Sequence, residues 1–261
     1  MIKCTLIPLL GIIFTTNLFA ETIRISSGEW APFVSKYSYH YGIDSHIVTE
    51  AFKLEGIDVQ WGFFPWGRAF KYAKVGEQWD ASCCWRSRKE VEEFFLFSEA
   101  ITKTSYVFFH LQSYNFDWTS MNNLSGIKIG LTTKYHYGEQ FMHAIATEKL
   151  DVQTTPQDEY NFKKLLSGRI DIFPNDPAVG RSQIKNLLSP QNASLLTHDP
   201  KEFGQNALHL ILSKNDDRAE YLLHKFARGM KKLRASGRYK SMLKDLKAGK
   251  YDKKKEIWQQ Q

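Results

Sequence analysis

Cysteine is scarce in this sequence. Three of its 261 residues are cysteines, and only Cys83 and Cys84 lie beyond the first twenty residues. A fold held together by disulfides needs several separated pairs of cysteines, so that class of exported protein is excluded. A bond between neighbouring cysteines strains the backbone, and we therefore expect two buried or half-buried thiols. An oxidising compartment leaves the bonded alternative open.

Recognisable catalytic motifs are missing as well. The chain has no His-Glu-x-x-His, no phosphate-binding loop, and no Ser-His-Asp order or Cys-His pair in a supporting context. Carboxylates such as Glu29 and Asp176 remain available as an acid and a base. The sequence therefore favours a protein without enzymatic activity, and an enzyme is the alternative.

No segment after residue 20 is apolar enough to span a bilayer, but the first twenty residues have a distinct layout. Lys3 gives a positive start, residues 6–14 are largely apolar, and the small residue Ala20 precedes the polar Glu21. This layout predicts a signal peptide over residues 1–20 that is cleaved after Ala20. An uncleaved anchor is the alternative. We expect a soluble protein exported to a bacterial periplasm.

Positive charge is concentrated near the C-terminus. The formal net charge is +7, and basic residues recur from Lys225 to Lys255. Such a run is compatible with nucleic acid or an anionic membrane surface. Export removes nucleic acid as a partner, so the pattern favours a solvated helix face followed by a soluble tail.

Patterns of strands and helices alternate along the chain, and the hydrophobic fraction of 43% is sufficient for a packed core. Asp44 or Ser45 is the expected cap of the first helix. The predicted strands are 22–26, 57–61, 80–85, 124–131 with its turn, 152–154, 170–173 and 207–213. The predicted helices are 47–54, 68–73, 137–148, 159–166, 218–235 and 239–246.

This alternation predicts a parallel α/β sheet built from two similar units in series. A long connection, from about residue 106 to residue 121, joins the units. Two such units imply a cleft faced by strand ends and helix starts, where free backbone amides hold polar or anionic ligands.

Short motifs carry a resemblance along nearly the whole chain after residue 20. They are GEWAPF at 28–33, GID at 42–44 with EAF at 50–52, PWGRA at 65–69, WDA at 79–81, FSEAI at 97–101, LSGIKIG at 124–130, YHYG at 135–138, LLSGRID at 165–171 and the segment 233–239. Each motif is weak alone, but their order and spacing are specific. The chain resembles the bacterial extracellular solute-binding proteins of family 3, the polar amino-acid type that delivers ligands to ABC importers.

The resemblance implies a type II periplasmic-binding fold, with two α/β lobes joined by two strands that act as a hinge and a ligand cleft between them. Lobe 1 would comprise residues 21–109 and 208–261, and lobe 2 residues 110–207. It further implies a monomer without cofactor or metal that binds a small polar solute and works with an inner-membrane ABC permease. A membrane sensor in place of the permease, or a dehydratase-like enzyme on the same fold, are the alternatives.

One position departs from the family pattern. Many amino-acid binders of this family carry an arginine, six residues before the Phe-Ser segment, that grips the ligand's α-carboxylate. Here that position is Val91, and valine cannot make two parallel bonds to a carboxylate. Either Arg68, Arg86 or Arg88 substitutes from nearby, or the ligand is not a standard α-amino acid.

The candidate binding residues in the first unit are aromatic and arginine side chains that follow its strands. Trp30 and Phe33 are expected to wall the cleft, with packing against a loop as the alternative. Trp66 is either a cleft wall or core. The remaining candidates are Arg68, Trp85 and Arg86, of which the two arginines are alternatively surface charges.

In the second unit the candidates are Tyr135, Tyr137 and Asp176. The tyrosines lie between a strand and its helix, whose first amides can hold an anionic group. His136 between them is not expected to bind a metal, because no second ligand has useful spacing. Asp176 is a candidate for binding a ligand ammonium, and a turn beside Pro174 and Pro177 is equally compatible.

Overall fold

The computed structural model describes residues 21–133, 135–147 and 150–252. The predicted signal peptide and the last nine residues lie outside this part of the chain. The strands are β1 (Glu21–Ser27), β2 (Ile57–Phe63), β3 (Ala81–Trp85), β4 (Phe95–Leu111), β5 (Lys128–Thr132), β6 (Asp151–Thr155), β7 (Phe173–Asn175), β8 (Leu196–His198) and β9 (Phe203–Ser213). The helices are α1 (Ile43–Lys53), α2 (Trp66–Val75), α3 (Lys89–Glu92), α4 (Glu139–Thr147), α5 (Asp158–Leu166), α6 (Pro177–Leu187), α7 (Pro190–Ala193), α8 (Ala219–Ala235) and α9 (Arg238–Lys247).

The sheet is mixed rather than wholly parallel. β1 lies between β2 and β3 and pairs in parallel with both, as the alternating pattern predicts. β9 and β4 continue this sheet in antiparallel pairing, and β4 also pairs with β7 and β8. The prediction of a parallel sheet is therefore wrong beyond β3, because β9 returns antiparallel to β3. β5 and β6 form a separate parallel pair.

The first part of the expected long connection, residues 106–111, is in fact the end of a strand. β4 runs for 17 residues, and all of its side chains from Ser105 to His110 are buried. Pairing with β9 on one side and then with β7 and β8 satisfies its backbone groups. The continuous apolar run Val107–Phe109 fits a strand that is covered on both faces.

The apolar core divides into groups that β4 and β9 connect. Ile101 of β4 packs in a cluster with β1, α1 and α8, whereas Phe108 of the same strand packs in a second cluster with β5 and α4. β9 also contributes to both clusters, with Phe203 near its start in the second cluster and Leu210 near its end in the first. The change of core therefore falls inside the two paired strands. The predicted lobe boundaries at 109/110 and 207/208 stay a prediction.

Two helix starts differ from the sequence-based expectation. α1 begins after Gly42 without a side-chain cap, so the predicted capping by Asp44 or Ser45 is wrong. α6 has a strong cap instead: Asp176 accepts hydrogen bonds from the amides of Ala178 and Val179, and Pro177 occupies the first helical position. Helix α6 was not predicted.

Candidate functional site

A cavity of about 370 Å³ opens where β3 ends. Its lining comes from segments far apart in sequence: the loop after β1, the start of α2, the segment after β3, the middle of β4 and β9, and the loop before α4. The lining residues are Trp30, Trp66, Cys84, Trp85, Arg86, Ser87, Arg88, Tyr106, Tyr135, His136, Glu139, Asn206 and Leu208.

Three tryptophans form what we term the aromatic side of this cavity: Trp30, Trp66 and Trp85. The rings of Trp66 and Trp85 meet edge to face with centroids 5.4 Å apart. The indole of Trp85 also donates a 2.8 Å hydrogen bond to Ser82. A Cβ on Gly28 would lie 2.2 Å from the ring of Trp66, so only glycine allows this ring to lie against the backbone. The aromatic side is thus fixed by close contacts.

Four predicted binding residues lie outside the lining: Phe33, Arg68, Tyr137 and Asp176. Phe33 is 1% exposed and stacks behind Trp30 with ring centroids 4.8 Å apart. Tyr137 is also 1% exposed, and its hydroxyl accepts a 2.7 Å bond from the amide of Thr132. The side chain of Arg68 is exposed on α2. Phe33 and Tyr137 therefore support lining residues from behind.

Arg86 connects three segments of the cavity wall. Its guanidinium donates to the backbone oxygen of His136 at 3.0 Å and to the hydroxyl of Tyr106 at 2.8 Å. The Tyr106 hydroxyl itself donates to the same His136 oxygen at 3.1 Å. The arginine that follows β3 is thereby connected to the loop that precedes α4.

Val91 belongs to the core rather than to the cavity. It is 3% exposed and packs with Ala73, Phe95 and Ile211. The arginines that line the cavity are instead Arg86 and Arg88, two of the three named as substitutes in the sequence. Positive charge is present in the cavity, but it comes from a segment adjacent to the expected position.

The polar part of the lining, which we term the polar side, consists of Arg86, Tyr106, His136 and Glu139. His136 and Glu139 form an exposed pair, with 3.3 Å between Nε2 and Oε1. Tyr135, 38% exposed, lies beside this side and also lines a second hollow of about 270 Å³ that includes Asp158.

The loop that contains His136 rests directly on β9 through two glycines. Gly138 and Gly204 both have positive φ, of 94° and 59°. A Cβ on Gly138 would lie 2.8 Å from the Cα of Gly204. The contact is therefore backbone against backbone.

The two carboxylates considered for acid–base chemistry are not in the lining. Glu29 is exposed and accepts from the amide of Lys36 at 3.3 Å. Asp176 is 4% exposed and is engaged as the cap of α6, and burial raises its pKa to about 6. The structure therefore does not bring these two groups together at the cavity.

Cys83 and Cys84 are both buried as free thiols, as predicted. Cys84 is 7% exposed and borders the cavity, and it has a positive φ of 69°. Asp44 lies beneath it, fully buried, and accepts bonds from Cys84 Sγ at 2.9 Å and from Thr102 Oγ1 at 2.7 Å. Burial raises the pKa of Asp44 to about 7 and raises that of Cys83 as well.

Sequence reasoning missed several lining residues. Tyr106, Asn206 and Leu208 reach the cavity only because β4 and β9 pair along their length. Glu139 opens α4, and a carboxylate in a first helical turn is an ordinary sequence signal for a helix start. That signal indicates a helix but not a binding site.

No protein-family model matches this chain, and no curated protein sequence does. Solved structures do match. The second substrate-binding domain of a putative amino acid ABC transporter from Streptococcus pneumoniae has a TM-score of 0.66 at 19% identity, covering 88% of this chain and 99% of that one. The arginine-, lysine-, histidine-binding protein ArtJ from Geobacillus stearothermophilus has a TM-score of 0.60 at 20% identity, covering 91% and 98%. A histidine kinase sensor domain with similarity to periplasmic binding proteins has a TM-score of 0.64 at 17% identity, covering 86% and 95%.

These likenesses establish the fold. The chain is a mixed α/β protein with the type II periplasmic-binding fold. Within the described residues, none of the helices has the length and apolar character needed to cross a bilayer. The matched structures are binding or sensor domains rather than enzymes.

Proposed function

We propose that this chain is a periplasmic solute-binding protein of the family 3 type that captures a small polar metabolite, an amino acid or a related compound, without altering it chemically. Closure of two lobes around the cavity retains the solute. An ABC importer in the inner membrane then receives it. The lobes comprise residues 21–109 with 208–261 and residues 110–207, and the protein acts as a monomer exported by a signal peptide cleaved after Ala20.

The single observation that carries this proposal is the cavity that the aromatic side and the polar side line together. Its volume of about 370 Å³ is that of a small-molecule pocket. Tryptophan rings bind the apolar part or a cationic group of a solute, and charged side chains orient its polar end. The pocket therefore suits a compact solute that has an apolar or cationic part and a polar end.

The cavity charges favour a solute with an anionic group. Among the residues that the structure describes, Arg86 and Arg88 line the cavity beside a single acidic side chain, Glu139. Planar guanidinium groups bind carboxylates with two parallel bonds. Arg86 already donates to Tyr106 and His136, so it is held in place before a solute arrives.

Presentation of the solute to a membrane sensor is the second candidate. The likeness to a histidine kinase sensor domain favours it, and both roles require the same closure on a ligand. Deletion of the gene for this chain, followed by growth on the bound solute as sole nutrient, distinguishes import from sensing. Loss of uptake supports import, and loss of a transcriptional response with intact uptake supports sensing.

The binding proposal is tested by calorimetry and thermal shift of the exported chain against amino acids, small amines and small carboxylates. We expect saturable binding of one solute per chain and its recovery unchanged. Trp30→Ala should weaken that binding by roughly two- to tenfold, since an aromatic contact contributes about 0.5–1.5 kcal/mol. Tyr221→Ala, an exposed aromatic on α8, is the matched control and should bind normally.

Two results would contradict the proposal. One is a folded chain that binds none of these compounds and nothing from a periplasmic extract. The other is a product that differs from the added solute, which would favour the dehydratase-like alternative. N-terminal sequencing of the exported chain tests the cleavage after Ala20 separately.

A further inference from the structure

We propose that Asp44, Cys83 and Cys84 bind one thiophilic divalent cation of the Zn²⁺ class at the base of the cavity. The three residues place one ligand atom each within 4.8 Å of one another. This site lies beyond the proposed solute-binding role, because it needs no solute and uses side chains that are buried.

The backbone at Cys84 brings the two sulphurs together. Successive side chains of a regular strand point to opposite faces, so neighbouring cysteines are normally kept apart. Cys84 ends this regularity with φ of 69°, and the pairing of β3 with β9 is irregular between Ser82 and Trp85. As a result the Sγ atoms of Cys83 and Cys84 lie 3.7 Å apart.

This sulphur separation fits a shared metal. Two sulphurs bound tetrahedrally to Zn²⁺, each at about 2.3 Å, are about 3.8 Å apart. A disulfide needs about 2.05 Å and has Cα atoms at least about 4.4 Å apart, whereas neighbouring residues have Cα atoms about 3.8 Å apart. The observed distance therefore favours two thiolates on one cation over a bond between them.

Asp44 supplies a third ligand of suitable type. Its Oδ2 is 2.9 Å from Cys84 Sγ, and its Oδ1 accepts a 2.7 Å bond from Thr102. A sulphur and an oxygen on one Zn²⁺ are about 3.6 Å apart, so the cation requires a movement of about 0.7 Å here. The bond from Thr102 orients the carboxylate in the way that outer groups orient metal ligands.

The charges balance without adding to the buried charge. Binding of one divalent cation displaces the protons of both thiols, so two protons leave as two positive charges arrive. Above the Asp44 pKa of about 7, where its ionised form predominates, the cluster carries one negative charge before and after binding. Burial of a charged group is costly unless it is compensated, and here the exchange leaves the net charge unchanged.

The fourth position of such a site points to the cavity. Cys84 is part of the cavity lining, whereas Cys83 and Asp44 are fully buried. A tetrahedral cation with three protein ligands keeps one position for water or a ligand. The cation would therefore enter from the cavity.

The test uses Cd²⁺ as a spectroscopic probe for the exported chain, purified with reductant that is then removed. We expect one Cd²⁺ per chain and a thiolate-to-metal charge-transfer absorption. Both signals should be lost in Cys83→Ser and in Cys84→Ser. Glu139→Gln is the matched control, because His136 and Glu139 are the rival ligands in the same cavity, and it should retain both signals.

A second measurement uses the unaltered chain, so its result does not depend on whether the serine variants fold. X-ray absorption of the Zn²⁺-loaded protein should give two sulphur neighbours at about 2.3 Å. Absence of the charge-transfer band, its persistence in both serine variants, or a zinc shell without sulphur would overturn the proposal. So would a purified chain whose intact mass lacks two hydrogens and whose cysteines do not react as thiols.

Discussion

The aromatic side and the polar side of the cavity are held by different forces. Trp66 and Trp85 are fixed by ring contacts and by the absence of a side chain at Gly28. The polar side depends on the hydrogen bonds of Arg86 to Tyr106 and His136, with Asp176 buried behind it. Close packing responds to volume, whereas buried polar groups respond to pH and to the loss of a partner. We therefore expect the aromatic side to be sensitive to changes in side-chain volume, and the polar side to pH and to the loss of a hydrogen-bond partner.

The largest expected effect is a change with pH in the free energy of unfolding, caused by the buried carboxyl next to the polar side. Burial raises the pKa of Asp176 from 3.8 to about 6. An acid whose pKa is raised on folding binds more protons in the folded state, so its contribution to stability falls as pH rises from about 4 to about 6. A shift of this size corresponds to about 3 kcal/mol.

Asp176→Asn retains an oxygen for the amides of Ala178 and Val179 but does not titrate. In urea unfolding, the stability of this variant relative to the unaltered chain should rise between pH 4 and pH 6. Asp58→Asn, at an exposed position of β2, makes the same change in charge far from the cap of α6 and is the matched control. A flat difference for Asp176→Asn would show that this carboxyl is not the titrating group.

The next largest effect is expected from added side-chain volume on the aromatic side. Gly28→Ala places a Cβ 2.2 Å from the ring of Trp66, and such overpacking costs about 1–3 kcal/mol. Gly67→Ala, one residue after Trp66, meets nothing within 4 Å and should be neutral or stabilising. Urea unfolding and tryptophan emission check both. Equal stabilities of the two variants would mean that Trp66 moves freely.

A smaller effect should follow from cutting the link between the polar side and β3. Arg86→Met removes one exposed and one partly buried hydrogen bond and should lower the free energy of unfolding by about 1–2 kcal/mol, since a typical intramolecular hydrogen bond contributes about 0.5–1.5 kcal/mol. Arg86→Lys retains the charge but not the fork, so it should lie between Arg86→Met and the unaltered chain. If lysine and methionine are equivalent, the charge of Arg86 contributes nothing.

The smallest effect is expected at the exposed end of the polar side. Glu139 has a side chain that is 94% exposed and pairs only with His136 among the described residues. Exposed pairs contribute little, so Glu139→Gln should leave the thermal midpoint unchanged at low and high salt. A salt-dependent drop would show that this pair holds the loop.

Local patterns were sufficient for most of the elements. The alternation at 22–26 and 57–61 predicts β1 and β2, and the helical spacing of apolar residues predicts α1, α8 and α9; all are confirmed within a few residues. Helix α6 carried a readable signal, Asp176 followed by Pro177, which is a common helix start. Reading these residues as a turn missed it.

The candidate site was less predictable because it depends on contacts distant in sequence. Tyr106 and Leu208 meet at the cavity through the pairing of β4 with β9, which no local pattern specifies. The aromatic residues Phe33 and Tyr137 follow strands as lining residues do, yet both are buried as support. The positive φ of Cys84 follows from neither propensity nor spacing.

The contact between Gly138 and Gly204 sets a dimension of the molecule. Because main-chain atoms meet there without intervening side chains, the thickness of two bare backbones determines how near the loop with Tyr135 and His136 stands to the strand beneath it. A single methyl group at either glycine would lift that whole loop. The position of a loop in the cavity wall is thus set by two residues that are not themselves part of the lining.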